Sequence, residues 1–297
     1  MRVLILGGTG MLGHKLWQQL APAHETTVTV RGDAAALDPV AQTLGAPARV
    51  IEHVAADEAG IRRALQIAHP DAVINAVGIV KQSDIASDAA VMHAVNAAFP
   101  HLLAEHCRRA GVRLIHISTD CVFAGTNGRY TETDRPDPED LYGRSKLDGE
   151  VTGPGCLTLR TSMIGRELAG QRGLVEWFLA QRGGRVRGFT KAVFSGLSTA
   201  LLARVIADLL ERHPHLDGLY HVAAGAVTKH DLLHLLSAAY HLPVTIDAYD
   251  GVVLDRSLDG TKFRDATGFV APAWPELVRL MAADPAPYDR WRASRGS

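Results

Sequence analysis

Residues 2–20 read RVLILGGTGMLGHKLWQQL, and this stretch decides the fold class. Val3 to Leu6 is a short apolar run that suits a buried strand, and Met11 to Leu20 has helical periodicity. Between them Gly7, Gly10 and Gly13 fit G-x-x-G-x-x-G, while Gly8, Gly10 and Gly13 fit G-x-G-x-x-G. Glycine is needed there because the turn is tight and the backbone must approach a pyrophosphate closely. The amino terminus of the following helix then offers unpaired N–H groups to the anion. The position after a strand and before a helix separates this from an ordinary glycine-rich turn. The segment Gly7-Gly8-Thr9-Gly10-Met11-Leu12-Gly13 thus predicts a dinucleotide cradle, with Met11 and Leu12 inside it.

Strands and helices alternate outward from this unit. Thr27 to Val30 and Arg49 to Val54 read as strands, Ile61 to Ile67 as a helix, and Asp71 to Ala76 as a fourth strand. A long helix is expected over Ser87 to Ala110, then a strand over Val112 to Ile117. Such alternation implies a Rossmann-type doubly wound parallel sheet, α/β in class, with ligands beyond the carboxyl ends of the strands. After about residue 150 the pattern loosens. Leu157 to Thr161, Thr199 to Glu211 and Leu219 to Val222 return to the sheet domain, whereas Gln171 to Ser195 and Val244 to Pro287 read as a separate lobe. The expected division is 1–165 with 196–240 as the cofactor domain and 166–195 with 241–297 as a smaller carboxy-terminal substrate lobe.

Composition narrows the function. The chain has 297 residues, 47% hydrophobic and 21% charged, as ordinary globular domains do. Lys plus Arg (31) balances Asp plus Glu (32), so no basic excess points to nucleic acid or an anionic membrane. Cys107, Cys121 and Cys156 are widely spaced, which favours a reduced cytoplasmic setting and suggests no metal site. The apolar amino-terminal run is too short for a signal peptide or a spanning helix.

Two strand ends bear on the cofactor. The second strand ends Val30-Arg31-Gly32. Arg31 could pair with the 2′-phosphate of NADP or be a solvated surface arginine, and Asp33 nearby leaves NADH open. Asn75-Ala76-Val77-Gly78 ends the fourth strand in small residues against which an adenosine could lie, or is simply a strand closing in a turn.

The third constellation carries the chemistry. Ser118-Thr119-Asp120 closes the fifth strand, and Tyr142-Gly143-Arg144-Ser145-Lys146 opens a helix. Tyrosine and lysine four residues apart share one helical face. A free phenol has a pKa near ~10, and a neighbouring ammonium brings it toward the range useful for proton transfer. A Thr119 hydroxyl could hold a substrate carbonyl oxygen. Y-x-x-x-K recurs by chance on solvated helices; the strand-end Ser-Thr and the glycine cradle are what set this one apart.

On GGTGMLG (7–13), NAVG (75–78), STDCVF (118–123), YGRSKLDGE (142–150) and DRSLDGTKF (255–263), the chain resembles the extended short-chain dehydrogenase/reductases. Within them it is most similar to the dTDP-4-dehydrorhamnose reductase group of nucleotide-sugar enzymes. The resemblance implies a catalytic set of Thr119, Tyr142 and Lys146, with Tyr142 and Lys146 also at the cofactor. It implies reduction of the 4-keto group of a 4-keto-6-deoxy nucleotide-sugar by NADPH or NADH, for deoxysugar and surface polysaccharide synthesis. It further suggests a supporting role for Asn96, with a plain polar helix residue as the alternative. A homodimer is also in keeping with the relatives.

Two positions depart from the group. Cys121 stands where rhamnose-type reductases usually carry an aromatic residue, and Met163 stands where they tend to carry tryptophan. A thioether fills space but offers no flat face to a sugar. In GDP-fucose synthases a cysteine lies two residues after the catalytic hydroxyl, as Cys121 does after Thr119. An epimerase/reductase using Cys121 is therefore an alternative, as is a buried wall cysteine. A non-catalytic NADP-binding regulatory subunit, such as the beta subunit of methionine adenosyltransferase, is another. In the second lobe Arg256 could grip a diphosphate or pair with Asp255 or Asp259. Trp177, Phe178 and Phe189 could stack on the base or form the lobe core.

Overall fold

A computed structural model describes residues 1–44, 49–83 and 85–293. In chain order the strands are β1 (Arg2–Leu6), β2 (Glu25–Thr29), β3 (Arg49–Ile51), β4 (Ala72–Asn75), β5 (Arg113–Thr119) and β6 (Cys156–Thr161). There follow β7 (Met163–Ile164), β8 (Arg185–Phe194), β9 (Leu197–Ser198), β10 (Gly218–His221), β11 (Val227–Thr228) and β12 (Thr245–Asp255). The helices are α1 (Gly13–Leu20), α2 (Asp38–Leu44), α3 (Glu58–Ala68), α4 (Ala89–His93), α5 (Phe99–Ala110) and α6 (Leu141–Asp148). After them come α7 (Leu174–Leu179), α8 (Thr199–Glu211), α9 (Lys229–Ala239), α10 (Thr261–Thr267), α11 (Trp274–Ala282) and α12 (Tyr288–Ala293).

Seven strands form one sheet in the order β10-β6-β5-β4-β1-β2-β3, with the order reversing at β1, as the doubly wound reading requires. The pairings of β1 with β2 and β4, of β2 with β3, and of β4 with β5 are parallel. Leu6 stands level with Asn75, and Asn75 with His116. This register brings the carboxyl ends of β1, β4 and β5 out along one edge, where Gly7 and Ala76 follow and β5 runs three residues past His116 to end at Thr119. Both faces of the sheet are covered, so its central strands are buried on both sides, mostly by apolar residues, with polar Asn75, His116, Ser118 and Thr119 gathered toward the carboxyl ends of β4 and β5. On one face Leu4, Val73 and Leu114 pack against Ile61 and Ala64 of α3 and Leu103 and Cys107 of α5. Fully burying each such leucine contributes roughly 1.5–3 kcal/mol.

The expected long helix over Ser87 to Ala110 begins at Ala89 and is interrupted. Residues Ala94–Ala98 between α4 and α5 form a π-helical turn. One wide turn rotates the side chains beyond it, and such turns recur at functional sites. The third strand ends at Ile51, short of the expected Val54.

By backbone contacts the chain divides into two compact units, Met1–Thr119 with Pro138–Leu159 and Ala203–Leu219, and Asp120–Asp137 with Arg160–Leu202 and Tyr220–Ser297. The second unit has its own three-stranded sheet, β11-β8-β12, in which β8 runs parallel to β12 and antiparallel to β11. Its helices bury Phe178, Leu232, Leu236, Leu277 and Met281. A charged cluster ties α12 into this unit. Glu176, only 4% exposed, accepts from Arg166 Nε at 2.6 Å and lies 3.5 Å from Arg292 Nε, while Arg166 also pairs with Asp289. Removing the central carboxylate takes the buried partner from Arg166 and leaves this desolvated guanidinium only the exposed Asp289. Glu176→Ala is therefore expected to cost about 3–5 kcal/mol, read as a lowered urea midpoint.

Candidate active site

The glycine segment is built as a cradle. Gly7 has φ of +88°, and its carbonyl accepts from the Gly10 amide at 3.0 Å, closing the turn. A Cβ at Gly13 would stand 2.1 Å from the Gly7 oxygen, so only glycine lets α1 start this close to the loop. Among the described residues no side chain caps the amino terminus of α1, whose Ncap is Leu12. This end of α1 thus meets the glycine loop as a helix amino terminus, whose dipole favours an anion. Ala76 and Val77 border Gly7 from the end of β4. These features fit a dinucleotide pyrophosphate. Gly13→Ala must push the loop open, and NADPH binding is expected to weaken at least about tenfold at a stability cost of roughly 1–3 kcal/mol. Titration by cofactor fluorescence and thermal melting check the two parts.

At the tip beyond β2, Arg31 is exposed, and Asp33 faces His53 Nε2 at 3.3 Å. The side chain of Asn75 is only 1% exposed and acts within the protein. Its Oδ1 accepts from Val77 N at 3.1 Å, which turns Nδ2 toward His116 Nδ1, also at 3.1 Å. The ring must then carry its proton on Nε2, which has no protein partner among the described residues. Burial first, then the Lys146 and His101 charges, hold His116 well below its ordinary pKa, so the ring is neutral.

Asn96 sits in the π-helical turn. It donates to Ile79 O at 2.9 Å and to Ser145 Oγ at 3.1 Å, and its Oδ1 accepts from Ile79 N at 2.8 Å. It therefore clamps the segment after β4 to α6, the helix that carries the tyrosine and lysine. The wide turn in the helix is what aims Asn96 at both.

Asp140 caps α6 by accepting from Gly143 N at 2.7 Å, so Tyr142 lies in the first turn and Lys146 in the next. Thr119, 6% exposed, ends β5. Lys146 is 4% exposed, and its Nζ donates to Ile117 O at 2.7 Å, two residues before Thr119 in the strand. Burial brings its pKa down to about 8, with the Glu150 carboxylate opposing that fall. A second cation also reaches this site. Lys81 Nζ lies 5.7 Å from the Tyr142 ring centroid and pairs with Asp140. Nothing in the spacing singles out Lys81, because it comes from the loop after β4.

Cys121, Met163, Trp177 and Arg256 belong to the second unit. Arg256 Nε donates to Phe123 O at 2.7 Å, and its Nη1 lies 3.7 Å from Cys121 Sγ. No pairing with Asp255 or Asp259 accompanies this; Asp255 instead accepts from Ser257 N at 2.9 Å. Lys229, at the start of α9, is lowered by burial while Asp120 and the Cys121 sulfur pull the other way. The cysteine thus has two cationic neighbours, one of which the sequence reading missed. Met163 is half-buried in β7. Trp177 keeps 38% exposure, Phe178 is fully buried in the core, and Phe189 stacks at an angle on Tyr249 with centroids 5.8 Å apart.

Comparison with known proteins agrees with this architecture. The family model described as RmlD substrate binding domain matches residues 1–284. A probable dTDP-4,6-dihydroxy-2-methyloxan-3-one 4-ketoreductase of Streptomyces antibioticus is 32% identical over 99% of this chain and 89% of its own length. A dTDP-4-dehydrorhamnose reductase of Burkholderia thailandensis is 30% identical over 82% of this chain and 72% of its own. The dTDP-4-dehydrorhamnose reductase of Bacillus anthracis, solved in complex with NADP, superposes with a TM-score of 0.77 at 21% identity, covering 94% of this chain and 98% of that one. The matched model runs over nearly the whole chain, and the protein belongs to the RmlD substrate-binding-domain family, the dTDP-4-dehydrorhamnose reductase-like branch of the extended short-chain dehydrogenase/reductases.

Proposed function

We propose that this protein is an NAD(P)H-dependent reductase of the 4-keto group of a 4-keto-6-deoxy nucleotide-sugar, with NADPH as the preferred donor and NADH accommodated. The observation that supports this reading is that one compact unit holds the glycine cradle and Thr119, at the carboxyl ends of β1 and β5, together with α6, whose Lys146 bonds Ile117 O near the end of β5 and whose first turn carries Tyr142. The relatives support it: two are named for reduction of dTDP-linked keto-sugars, and one structure was solved with NADP.

The loop from Gly7 to Gly13, with Met11 and Leu12, would hold the pyrophosphate, Arg31 the adenosine 2′-phosphate, and Ala76 and Val77 the wall beside it, with the buried Asn75 fixing their turn from within. When bound, the reduced nicotinamide supplies the hydride for C4. Thr119 donates a hydrogen bond to the carbonyl oxygen, and Tyr142 gives that oxygen its proton. Lys146 stabilises the phenolate left behind, with Lys81 adding positive charge at the ring. Cys121, Met163, Trp177 and Arg256 would meet the nucleotide-sugar. Because Phe178 is core, the base-stacking role passes to Trp177.

An intact proton donor with a tuned lysine favours an enzyme over a non-catalytic sensor. The test is NADPH consumption on adding dTDP-4-keto-6-deoxyhexose in D₂O, with mass spectrometry of the product. Stoichiometric oxidation without solvent deuterium at C3 or C5 is expected. Deuterium at either carbon would shift the assignment to an epimerase/reductase using Cys121, and cofactor binding without turnover would overturn the reductase reading.

A further inference from the structure

Tyr142 and Lys146 share one face of α6, and a third titratable group, Glu150, follows just after the helix ends at Asp148. The chain is forced to place Glu150 where it does. Gly149, the C-cap of α6, lies so near the π-helical turn that a Cβ there would stand 1.9 Å from Asn96 O. Just beyond it, Glu150 Oε1 accepts from Ser118 Oγ at 2.7 Å. Ser118 is the residue after Ile117, whose carbonyl accepts from Lys146 Nζ at 2.7 Å. Neighbouring residues of β5 thus hold the amine and the carboxylate.

Among the described residues, Glu150 is the anion whose charge bears on Lys146. On β5, His116 is neutral; on α5, His101 donates through Nε2 to Asp148 O at 2.7 Å. From α4 and the π-helical turn come Met92 and Asn96, neither of them charged. Tyr142 lies one turn back on α6 itself. The far side of Glu150 borders a surface hollow of about 240 Å³ shared with His101, Glu105, Arg108 and Cys156. Its carboxylate therefore keeps contact with water while its charge acts inward, and that charge is what opposes the desolvation of the amine.

We propose that Glu150 is a positioning residue for the reduction: clamped by Ser118, its carboxylate holds the Lys146 ammonium in its charged form and in line with Tyr142. The kinetic consequence rests on the reductase reading above. The effect on Lys146 itself does not.

Two measurements separate them. In Glu150→Gln the alkaline limb of the kcat/KM profile for NADPH-dependent keto-sugar reduction is expected to move down by about one pH unit, as loss of a nearby opposite charge predicts. Glu150→Asp should recover part of the shift. The ¹³Cε resonance of Lys146, followed by NMR in the cofactor-free protein, should titrate lower by a matching amount. Ser118→Ala should move it in the same direction by less, and this variant stands in if Glu150→Gln does not fold. An unchanged Lys146 titration, or a rate lowered equally at every pH, would overturn the proposal. If the wild type reduces no keto-sugar, the reductase reading fails, while the NMR titration still decides the role of Glu150.

Discussion

Replacing Tyr142 by phenylalanine is expected to lower kcat for keto-sugar reduction about 10²- to 10⁴-fold, the span usual for loss of a positioned proton donor. The ring stays in place, since its contact with Lys81 involves the aromatic face and α6 keeps its Asp140 cap. The variant should melt near the wild-type temperature and still quench protein fluorescence on binding NADPH. A drop in kcat with cofactor binding retained assigns the proton to this phenol. A variant retaining more than about a tenth of the activity would move that role elsewhere.

The second large effect joins stability to function at Lys146. Its amine is almost wholly buried, and its pKa falls from the ordinary 10.5 to about 8. The unfolded chain keeps this proton until about pH 10.5, whereas the folded protein releases it near pH 8. Folding below pH 8 therefore carries the full cost of a desolvated ammonium, on the order of 3 kcal/mol. That cost fades as pH rises from 8 to 10.5. Lys146→Met removes it but also leaves the Ile117 carbonyl without its donor, which takes back about 1–3 kcal/mol. The net expectation is a variant between equally stable and about 2 kcal/mol more stable at pH 7, with its stability relative to wild type falling toward pH 10. Its kcat should fall by at least about 10²-fold. Thermal melts at the two pH values, beside the rate, check the pairing. A Lys146→Met protein that is less stable at pH 7 than at pH 10, relative to wild type, would contradict the account.

The two effects have one cause. The same burial that makes the amine costly keeps its charge unscreened beside the phenol. The site is held together at the expense of local stability, as is common where a charged group must act in a dry place.

Much of this was legible from spacing alone. The glycine triplet after Leu6 and the Tyr142–Lys146 pair announce themselves because backbone approach and helical geometry constrain residues close in sequence. The seven-stranded sheet follows from short, largely buried strands alternating with amphipathic helices, a consequence of helices on both faces. The second unit was less visible, because β8 and β12 pair across a long separation, β8 mixes exposed with buried positions and β12 mixes exposed with half-buried ones. The π-helical turn at Ala94–Ala98 left no mark in the apolar pattern, which accommodates one extra residue without losing its face. Phe178 and Trp177 are adjacent in sequence, yet one is core and the other exposed, a division that depends on how α7 packs.

From its sequence alone the chain showed a dinucleotide loop and a tyrosine–lysine pair, each fixed by residues within a turn or two of one another, and a doubly wound sheet, fixed by strands alternating with helices. Only the tertiary structure could decide what surrounds them. Lys81 near the phenol, Ser118 and Glu150 behind the lysine, His116 held by Asn75, and Lys229 with Arg256 around Cys121 come from distant segments. The charge on a buried group depends on what lies within a few ångströms in space, and residues four apart on one helix do not reveal it.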